Sequence, residues 1–211
     1  SNSIIKVWSN DVYDGRILHT KRTPYQQIVL SKYREDLRLY LDGNLQFSSI
    51  DEYRYHEALI HPAVSTLVAE GRTDLSVLLL GGGDGLAVRE VTKYPQVGRV
   101  TLVDLDPAIT DLARTNPHVL ALNERSLVDS ERVRVINQDA FAFLGQRRTQ
   151  FDLIVGDLPD PNNTDLARLY TEEFYRLVKS NLSPGGVFVT QATSPVFANK
   201  AFWAIHRTVA K

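Results

Sequence analysis

Residues 77–85 have the sequence VLLLGGGDG, and this stretch decides the fold of the chain. Its four leading apolar residues carry no charge, which is typical of a buried strand. The glycines allow the tight turn that follows, because a residue without Cβ avoids the steric clash there. Residues 86–91 then repeat apolar side chains at helical spacing. A strand, a glycine turn and a helix in this order predict the opening of a nucleotide-binding α/β unit.

The glycine turn differs from the dinucleotide-binding pattern G-x-G-x-x-G, because Leu86 stands at the sixth position counted from Gly81. Asp84 lies inside the turn instead, next to Gly83. A carboxylate disfavours a neighbouring pyrophosphate, since like charges repel each other. The turn therefore predicts a ligand that is cationic near Asp84.

The composition excludes several classes of protein. The 211 residues, 43% of them hydrophobic, suffice for one domain with a core and a small annex. The net charge of −1 gives no basic field, so we expect no nucleic-acid partner. The sequence contains no cysteine, which excludes disulfide and thiolate chemistry. No apolar run approaches the roughly 18 residues of a membrane helix.

Both ends of the chain favour a longer parent protein. No methionine is present, and the first three residues, SNS, look like a tag remnant. Residues 201–205 predict a helix that is still running where the chain stops at Lys211. We therefore expect a fragment of a larger protein.

The first part of the chain is predicted to be β-structure. Residues 25–30 and 37–41 are strand-like, and Asp42-Gly43 is a hairpin signal. The sequence SIDE at residues 49–52 fits a capping box, which would open a helix that runs to about Glu70.

The chain as a whole is predicted to form two domains, an N-terminal β-hairpin domain at residues 1–50 and a Rossmann-like nucleoside-binding catalytic domain at residues 51–211. In the second domain, strands are predicted at 76–80, 99–103, 133–136, 151–155 and 186–190, and helices at 86–94, 107–114, 140–146 and 171–181. This alternation is typical of an α/β fold with a doubly wound parallel sheet, the class I methyltransferase-like Rossmann fold.

An acidic residue follows each of the first four strands, at the edge where such sheets bind ligands. These residues are Asp84, Asp104, Asp139 and Asp157. In the usual strand order, Asp84 and Asp157 face each other across one cleft. Asp104 lies 21 residues after Gly83, near the spacing at which an acid binds ribose hydroxyls. Asp139 suits an exocyclic amine such as that of adenine.

The alternative is that each acid only caps a helix or forms a turn. A lone aspartate after a strand does this more often than it binds a ligand. We expect a cap for Asp106, which precedes Pro107, and a turn remains open for residues 160–163. An acid at each of four strand ends favours a binding site.

Six short motifs give the chain a family resemblance. They are LDG at 41–43, DE at 51–52, YHE at 55–57, GGGDG at 81–85, DA at 139–140 and DLPDP at 157–161. With these motifs the chain resembles the spermidine synthases, the polyamine aminopropyltransferases, from Tyr25-Gln26 to about Gln191. The resemblance implies transfer of the aminopropyl group of decarboxylated S-adenosylmethionine to a diamine such as putrescine.

The resemblance also implies roles for individual residues. The nucleoside would be held by Gln26, Gly81, Gly83, Asp104, Asp139 and Ala140, and the aminopropyl ammonium by Asp84. The diamine would be held by Tyr55, His56, Asp84, Asp157 and Asp160. Asp157 would be the general base. The family needs no metal and no cofactor beyond the adenosyl co-substrate, because attack beside a sulfonium cancels the charge of the leaving group.

Further expectations concern assembly and location. Family members commonly form dimers or tetramers, so the resemblance implies a homodimer or homotetramer. It also implies that the C-terminal strands, with a tyrosine that helps to hold the diamine, are missing from this chain. We expect this chain to be a cytoplasmic domain. Some bacterial members of the family carry a multi-span membrane region before the synthase domain, and a parent protein of that kind would be anchored in the membrane.

Three departures from the family pattern keep alternatives open. Leu158-Pro159 stands where small hydroxyl residues are frequent, Asn162-Asn163 stands where Gly-Pro is frequent, and Asp104 replaces the usual glutamate. One alternative is a small-molecule methyltransferase on the same sheet, although Asp84 disfavours a ligand that keeps its carboxylate. Another is a non-catalytic nucleoside or polyamine sensor.

Overall fold

The structure, a computed structural model, describes residues 13–146, 149–159, 164–192, 196 and 198–209. The strands are β1 (Arg16–Arg22), β2 (Gln27–Tyr33), β3 (Asp36–Leu41), β4 (Asn44–Ser48), β5 (Leu75–Gly81), β6 (Val97–Asp104), β7 (Val133–Asn137), β8 (Phe151–Asp157) and β9 (Leu182–Thr190). The α-helices are α1 (Glu52–Ala69), α2 (Leu86–Thr92), α3 (Pro107–Thr115), α4 (Pro117–Leu122), α5 (Ala140–Gln146), α6 (Thr164–Ala167), α7 (Glu172–Ser180) and α8 (Asn199–Val209).

The first four strands form an antiparallel sheet in the order β1-β2-β3-β4. The predicted strands at 25–30 and 37–41 correspond to β2 and β3. Asp42 and Gly43 join β3 to β4 with φ angles of 50° and 80°, which confirms the predicted hairpin turn. Residues 4–12, also predicted as β-structure, lie outside the described residues. The predicted division into domains at residue 50 stays a prediction.

The predicted capping box at residues 49–52 is wrong. Asp51 is the N-cap of α1, and it makes no side-chain capping bond. Ser49 Oγ instead accepts a 2.9 Å hydrogen bond from the backbone N–H of Leu37, while Glu52 is buried. Ser49, which the local pattern assigned to the start of the helix, thus binds the backbone of β3 instead. The predicted end of α1 is confirmed, since the helix ends at Ala69.

The second sheet is parallel, with the strand order β7-β6-β5-β8-β9. This confirms the doubly wound sheet, with β5 at its centre and β8 beside it. Together with the antiparallel sheet it gives the predicted α/β architecture with a small N-terminal β unit. The carboxyl ends of β5 and β8 are adjacent, because Gly81 pairs in register with Asp157.

Alternate residues of β5 face opposite layers of the core. Val77 and Leu79 pack with α1, α2 and the N-terminal sheet, whereas Leu78 and Leu80 pack with α5 and α7. All four are fully buried. A strand covered on both faces needs an unbroken apolar run, which accounts for the sequence of residues 77–80.

Some elements differ from the prediction. Residues 182–185, which precede the predicted strand at 186–190, lie inside β9. The register jumps there from Phe151 opposite Leu182 to Leu153 opposite Val187, so the extra residues bulge out of the strand. The short helix α4 was not predicted. Among the residues that the structure describes, no helix combines the length and apolar character needed to cross a membrane.

Candidate active site

The turn after β5 holds Asp84 in a fixed position. Asp84 is half-buried, and its Oδ1 accepts a 2.9 Å hydrogen bond from the backbone N–H of Leu86 at the start of α2. Asn123 donates from its side-chain amide to the Asp84 carbonyl at 2.9 Å, and Ser126 Oγ donates to the Gly85 carbonyl at 2.8 Å. These hydrogen bonds to the turn fix the position of the Asp84 carboxylate.

Asp157, the last residue of β8, lies against the glycine turn. A Cβ on Gly81 would lie 2.1 Å from the Asp157 carbonyl oxygen, and a Cβ on Gly82 would lie 2.6 Å from Asp157 Oδ2. Both glycines have positive φ angles, 81° and 71°. Only glycine combines these φ angles with such close contacts to Asp157, because it has no Cβ. The turn thus lets the Asp157 carboxylate approach closely enough for its charge to act on Asp84.

Tyr55 extends from α1 to Asp157. Its hydroxyl group donates a 2.7 Å hydrogen bond to Asp157 Oδ1. Burial raises the pKa of Tyr55, and the negative charge of Asp157 raises it further. The phenol therefore stays protonated at neutral pH and serves as a hydrogen-bond donor to the carboxylate.

His56 lies next to Tyr55 with only 4% of its surface exposed, and the two rings meet edge to face with centroids 5.0 Å apart. Burial alone would lower the pKa of His56. The hydrogen bond with Glu52 and the charges of Asp84 and Asp157 outweigh burial, so that the pKa is raised. The structure thus brings Tyr55, His56, Asp84 and Asp157 together.

Asp104 and Gln26 lie on the other side of the glycine turn. Asp104 accepts backbone hydrogen bonds of 2.9 Å from Gly83 and from Asp106. Burial raises the pKa of Asp104 to about 6, against the opposing effect of these two bonds. Gln26 donates to Asp106 Oδ2 at 3.0 Å, which anchors the N-terminal sheet at this edge. Asp106 also caps α3 through Ala108, so the predicted cap is confirmed.

Asp139 lies at the start of α5, directly before the buried Ala140. Its Oδ1 accepts a 2.9 Å hydrogen bond from the backbone N–H of Ala142, and its Oδ2 forms an ion pair with Arg168. Asp139 therefore acts as a helix cap here, which was the alternative reading, and its second oxygen is engaged by a cation. Asp160 lies outside the described residues.

Sequence reasoning missed several residues around this cleft. Tyr170 donates to the Pro159 carbonyl and Gln191 donates to the Leu158 carbonyl, each at 3.0 Å, and both bonds hold the segment that follows Asp157. Their only sequence signal is the unusual Leu158-Pro159 pair. The buried ion pair of Glu52 with Arg89, behind His56, had no signal in the sequence because the two residues lie far apart in the chain.

A second cluster, of Glu57, His61 and Glu90, lies where α1 meets α2. One ligand atom from each residue lies within 4.8 Å of the others, which is a geometry that can hold a metal ion. The Glu90 carboxylate is already paired with Lys93 at 2.7 Å and with Arg89 at 2.8 Å. Its charge is compensated, so we assign no metal to this cluster.

Asp84→Asn is expected to stabilise the protein at neutral pH. Burial, with the charge of Asp157 as a further cause and His56 opposing both, raises the pKa of Asp84 from 3.8 to about 6. As pH rises, Asp84 therefore loses its proton in the unfolded state before it does so in the folded state. Its ionisation lowers the free energy of unfolding progressively from about pH 4 to 6, and the full loss persists above that range. Asparagine keeps the bond from Leu86 without the charge. We expect a Tm about 2–4 °C above wild type at neutral pH.

Thermal denaturation at neutral pH and at about pH 4 tests this, since most of the gain should vanish at the lower pH. Asp111→Asn, which removes an exposed carboxylate from α3, is the matched control and should leave the Tm unchanged. A lower Tm for Asp84→Asn at neutral pH, or the same gain at both pH values, would contradict the assignment of a destabilising charge to Asp84.

Comparison with known proteins places this chain in a family. The model of the spermine/spermidine synthase domain matches residues 52–211. The chain therefore belongs to the spermine/spermidine synthase family.

Individual relatives agree with this. The chain is 52% identical to the polyamine aminopropyltransferase of Oceanobacillus iheyensis, over 94% of this chain and 38% of that protein. It is 43% identical to the enzyme of the same name from Mycobacterium tuberculosis, over 99% of this chain and 39% of that protein. The chain thus spans about two fifths of the length of these curated relatives.

Solved structures show the same fold. A spermidine synthase in complex with the transition-state analogue AdoDATO superimposes with a TM-score of 0.82 at 26% identity, covering 92% of this chain and 64% of that one. The spermidine synthase from Thermotoga maritima gives a TM-score of 0.80 at 27% identity, covering 92% and 63%. Both the small antiparallel sheet and the five-stranded parallel sheet belong to this fold.

Proposed function

We propose that this chain carries the catalytic site of a polyamine aminopropyltransferase, which transfers the aminopropyl group of decarboxylated S-adenosylmethionine to a diamine such as putrescine. The observation that carries the proposal is the cluster of Asp84, Asp157 and Tyr55 at the carboxyl ends of β5 and β8. The names of the similar proteins support the same activity.

The charges of the cleft suit both amine substrates. A diamine is a dication at neutral pH, because the pKa of an alkyl amine lies near about 10. Asp84 and Asp157 offer two carboxylates in one cleft, and such a cleft concentrates cations. In this proposal Asp84 pairs with the ammonium of the aminopropyl group, and Asp157 lies beside the attacking amine, with Asp160 and His56 as further diamine contacts.

The proposed reaction is a single displacement. The attacking amine must lose a proton to expose its lone pair, and Asp157 accepts this proton as general base. The new C–N bond forms as the C–S bond breaks, and both electrons of that bond stay on sulfur, so the sulfonium leaves as neutral methylthioadenosine. Tyr55 orients the Asp157 carboxylate through its 2.7 Å hydrogen bond. No group beyond these is needed to balance protons and charge.

The nucleoside part would lie along the edge from β5 to β7. Gly81 and Gly83 let it approach the backbone, Asp104 binds the ribose hydroxyls, and Asp139 with Ala140 binds the adenine. Gln26 closes this side through its contact with Asp106. Since Arg168 already pairs with Asp139 Oδ2, the adenine amine would share that carboxylate with Arg168 or displace it. Assembly as a homodimer or homotetramer stays a prediction.

Two other functions remain to be tested against this one. A methyltransferase would bind S-adenosylmethionine with its carboxylate intact, and Asp84 in the turn opposes this by repulsion of like charges. A nucleoside or polyamine sensor would bind the same ligands without turnover. The ordered contact of Tyr55 with Asp157 favours an enzyme, because a sensor has no need of an oriented base.

Release of methylthioadenosine is expected only when the full-length protein receives both decarboxylated S-adenosylmethionine and a diamine. Chromatography of timed samples from a panel of diamines of different length would measure the rate and give the preferred acceptor. The omission of either substrate is the control. Binding of both ligands without release of methylthioadenosine would favour a sensor, and release of S-adenosylhomocysteine from S-adenosylmethionine would favour a methyltransferase.

A further inference from the structure

A row of buried charges lies behind His56. Glu52 is 7% exposed, Arg89 is 7% exposed and Glu90 is fully buried. Arg89 donates to both carboxylate oxygens of Glu52, from Nη1 at 2.9 Å and from Nη2 at 3.0 Å. Its Nε donates to Glu90 at 2.8 Å, and Nη1 also donates to the Leu122 carbonyl at 2.8 Å. Arg89 is therefore fixed by four acceptors and keeps Glu52 ionised.

The contacts of Glu52 determine which nitrogen of His56 carries a proton. His56 Nδ1 lies 2.7 Å from Glu52 Oε2 and 2.9 Å from the Glu52 carbonyl oxygen. An ionised carboxylate and a carbonyl oxygen can only accept hydrogen bonds. Nδ1 must therefore be the donor, and in the neutral imidazole Nε2 is left with a lone pair.

We propose that Glu52 is a positioning residue for the amine substrate: backed by Arg89, it fixes the proton of His56 on Nδ1 and leaves Nε2 as the nitrogen that accepts a hydrogen bond from the diamine. The inference rests on the proposed function of the same cleft. It assigns a task to two buried residues, Glu52 and Arg89, that touch no substrate in that proposal.

The groups that face His56 come from three elements. Glu52 lies on its own helix α1, Asp84 lies in the turn after β5, and Asp157 ends β8. The edge of the Tyr55 ring packs against the imidazole. All three carboxylates favour a cationic His56, which would repel a diamine. The Nδ1–H form with a free Nε2 is therefore the binding form, and diamine affinity should rise as pH increases and His56 loses its second proton.

Glu52→Gln separates positioning from simple packing, because glutamine keeps the size of the side chain. One amide oxygen can replace only one of the two carboxylate oxygens. At the Oε2 position it still accepts from Arg89 Nη2 and His56 Nδ1, while its NH₂ group faces the Nη1 donor of Arg89. Nδ1 stays the donor, because the Glu52 carbonyl oxygen is unchanged. The contact between two donors displaces the new side chain, and a neutral amide binds Nδ1–H more weakly than a carboxylate does, so the imidazole and its Nε2 are held less firmly. We expect diamine affinity to fall by about tenfold or more, a loss like that seen when a carboxylate that orients a histidine is removed.

Glu90→Gln is the matched control. It removes a buried carboxylate from the same Arg89, yet Glu90 contacts His61 Nε2 at 3.2 Å and not His56. Loss of stability through Arg89 should therefore be similar in the two variants, whereas only Glu52→Gln should change His56. Thermal denaturation of both variants measures the shared effect.

The test is nitrogen NMR of the full-length protein labelled at its histidines, recorded at a pH above which the histidine signals no longer shift, so that each imidazole is neutral. His56→Asn identifies the signal of His56 among the five histidines. Calorimetry with putrescine, in the presence of methylthioadenosine, gives the diamine affinity of each variant without requiring turnover. We expect the Nδ1–H form in wild type and in both variants, and weakened putrescine binding in Glu52→Gln alone.

The inference is overturned if wild-type His56 carries its proton on Nε2, a result that needs no variant to fold. It is also overturned if Glu52→Gln and Glu90→Gln weaken putrescine binding equally. Failure of the proposed function looks different: wild type would then bind putrescine and show the expected His56 signal but release no methylthioadenosine.

Discussion

Asp157→Asn is expected to lower turnover by on the order of 10²-fold or more while nucleoside binding survives, as for the loss of a general base. Asparagine has nearly the same shape and still accepts the hydrogen bond from Tyr55, but it cannot take a proton from the attacking amine. In the proposed arrangement Asp157 lies beside the attacking amine, so contacts to the nucleoside should be unaffected.

The measurement is the rate of methylthioadenosine release at saturating substrates, together with calorimetric affinity for methylthioadenosine. Asp111→Asn, on the exposed side of α3, controls for a general effect of losing one carboxylate and should turn over like wild type. Turnover of Asp157→Asn within a few-fold of the wild-type rate would mean that another group is the base.

Asp84 is expected to make the protein prefer decarboxylated S-adenosylmethionine over S-adenosylmethionine by on the order of 10²-fold. The carboxylate of the larger ligand would lie next to the Asp84 carboxylate, and two like charges 4 Å apart repel by about 4 kcal/mol in partly screened surroundings. The preference should also depend on pH. Burial raises the pKa of Asp84 to about 6, so the group loses its charge, and with it the discrimination, as pH falls below that value.

Calorimetry with both ligands at about pH 8 and pH 5 tests this, since Asp84 passes from its charged to its neutral form between them. In Asp84→Asn the preference should shrink to about tenfold or less at both pH values, because the repulsion is gone. Equal affinities of wild type for the two ligands at the higher pH would remove the physical argument against a methyltransferase.

The sequence was sufficient for those features that depend on local pattern. The unbroken apolar run at residues 77–80 and the glycines after it predicted a central strand and a turn at its carboxyl end, and both are present. The pairing of β5 with β8 was predicted from the usual strand order, and this placed Asp84 and Asp157 in one cleft. These predictions succeeded because burial on both faces of a parallel sheet leaves a strong signal.

Features that depend on distant parts of the chain could not be predicted in this way. Ser49 matched a capping box, but β3 offered it the backbone N–H of Leu37 instead. Glu52 also matches that box, whereas it pairs with Arg89, 37 residues away, and forms a hydrogen bond with His56. Asp139 is predicted to bind the adenine amine, but Arg168, which follows α6, forms an ion pair with its carboxylate. Tertiary contacts decided each of these cases.

The mass of the amine product tests the central claim most directly. The full-length protein would be incubated with putrescine and equal amounts of decarboxylated S-adenosylmethionine and S-adenosylmethionine, and the amines would be separated and weighed by mass spectrometry. The account predicts an amine heavier than putrescine by one aminopropyl group, formed in equal amount with methylthioadenosine. An amine heavier by a single methyl group, formed with S-adenosylhomocysteine, would contradict it.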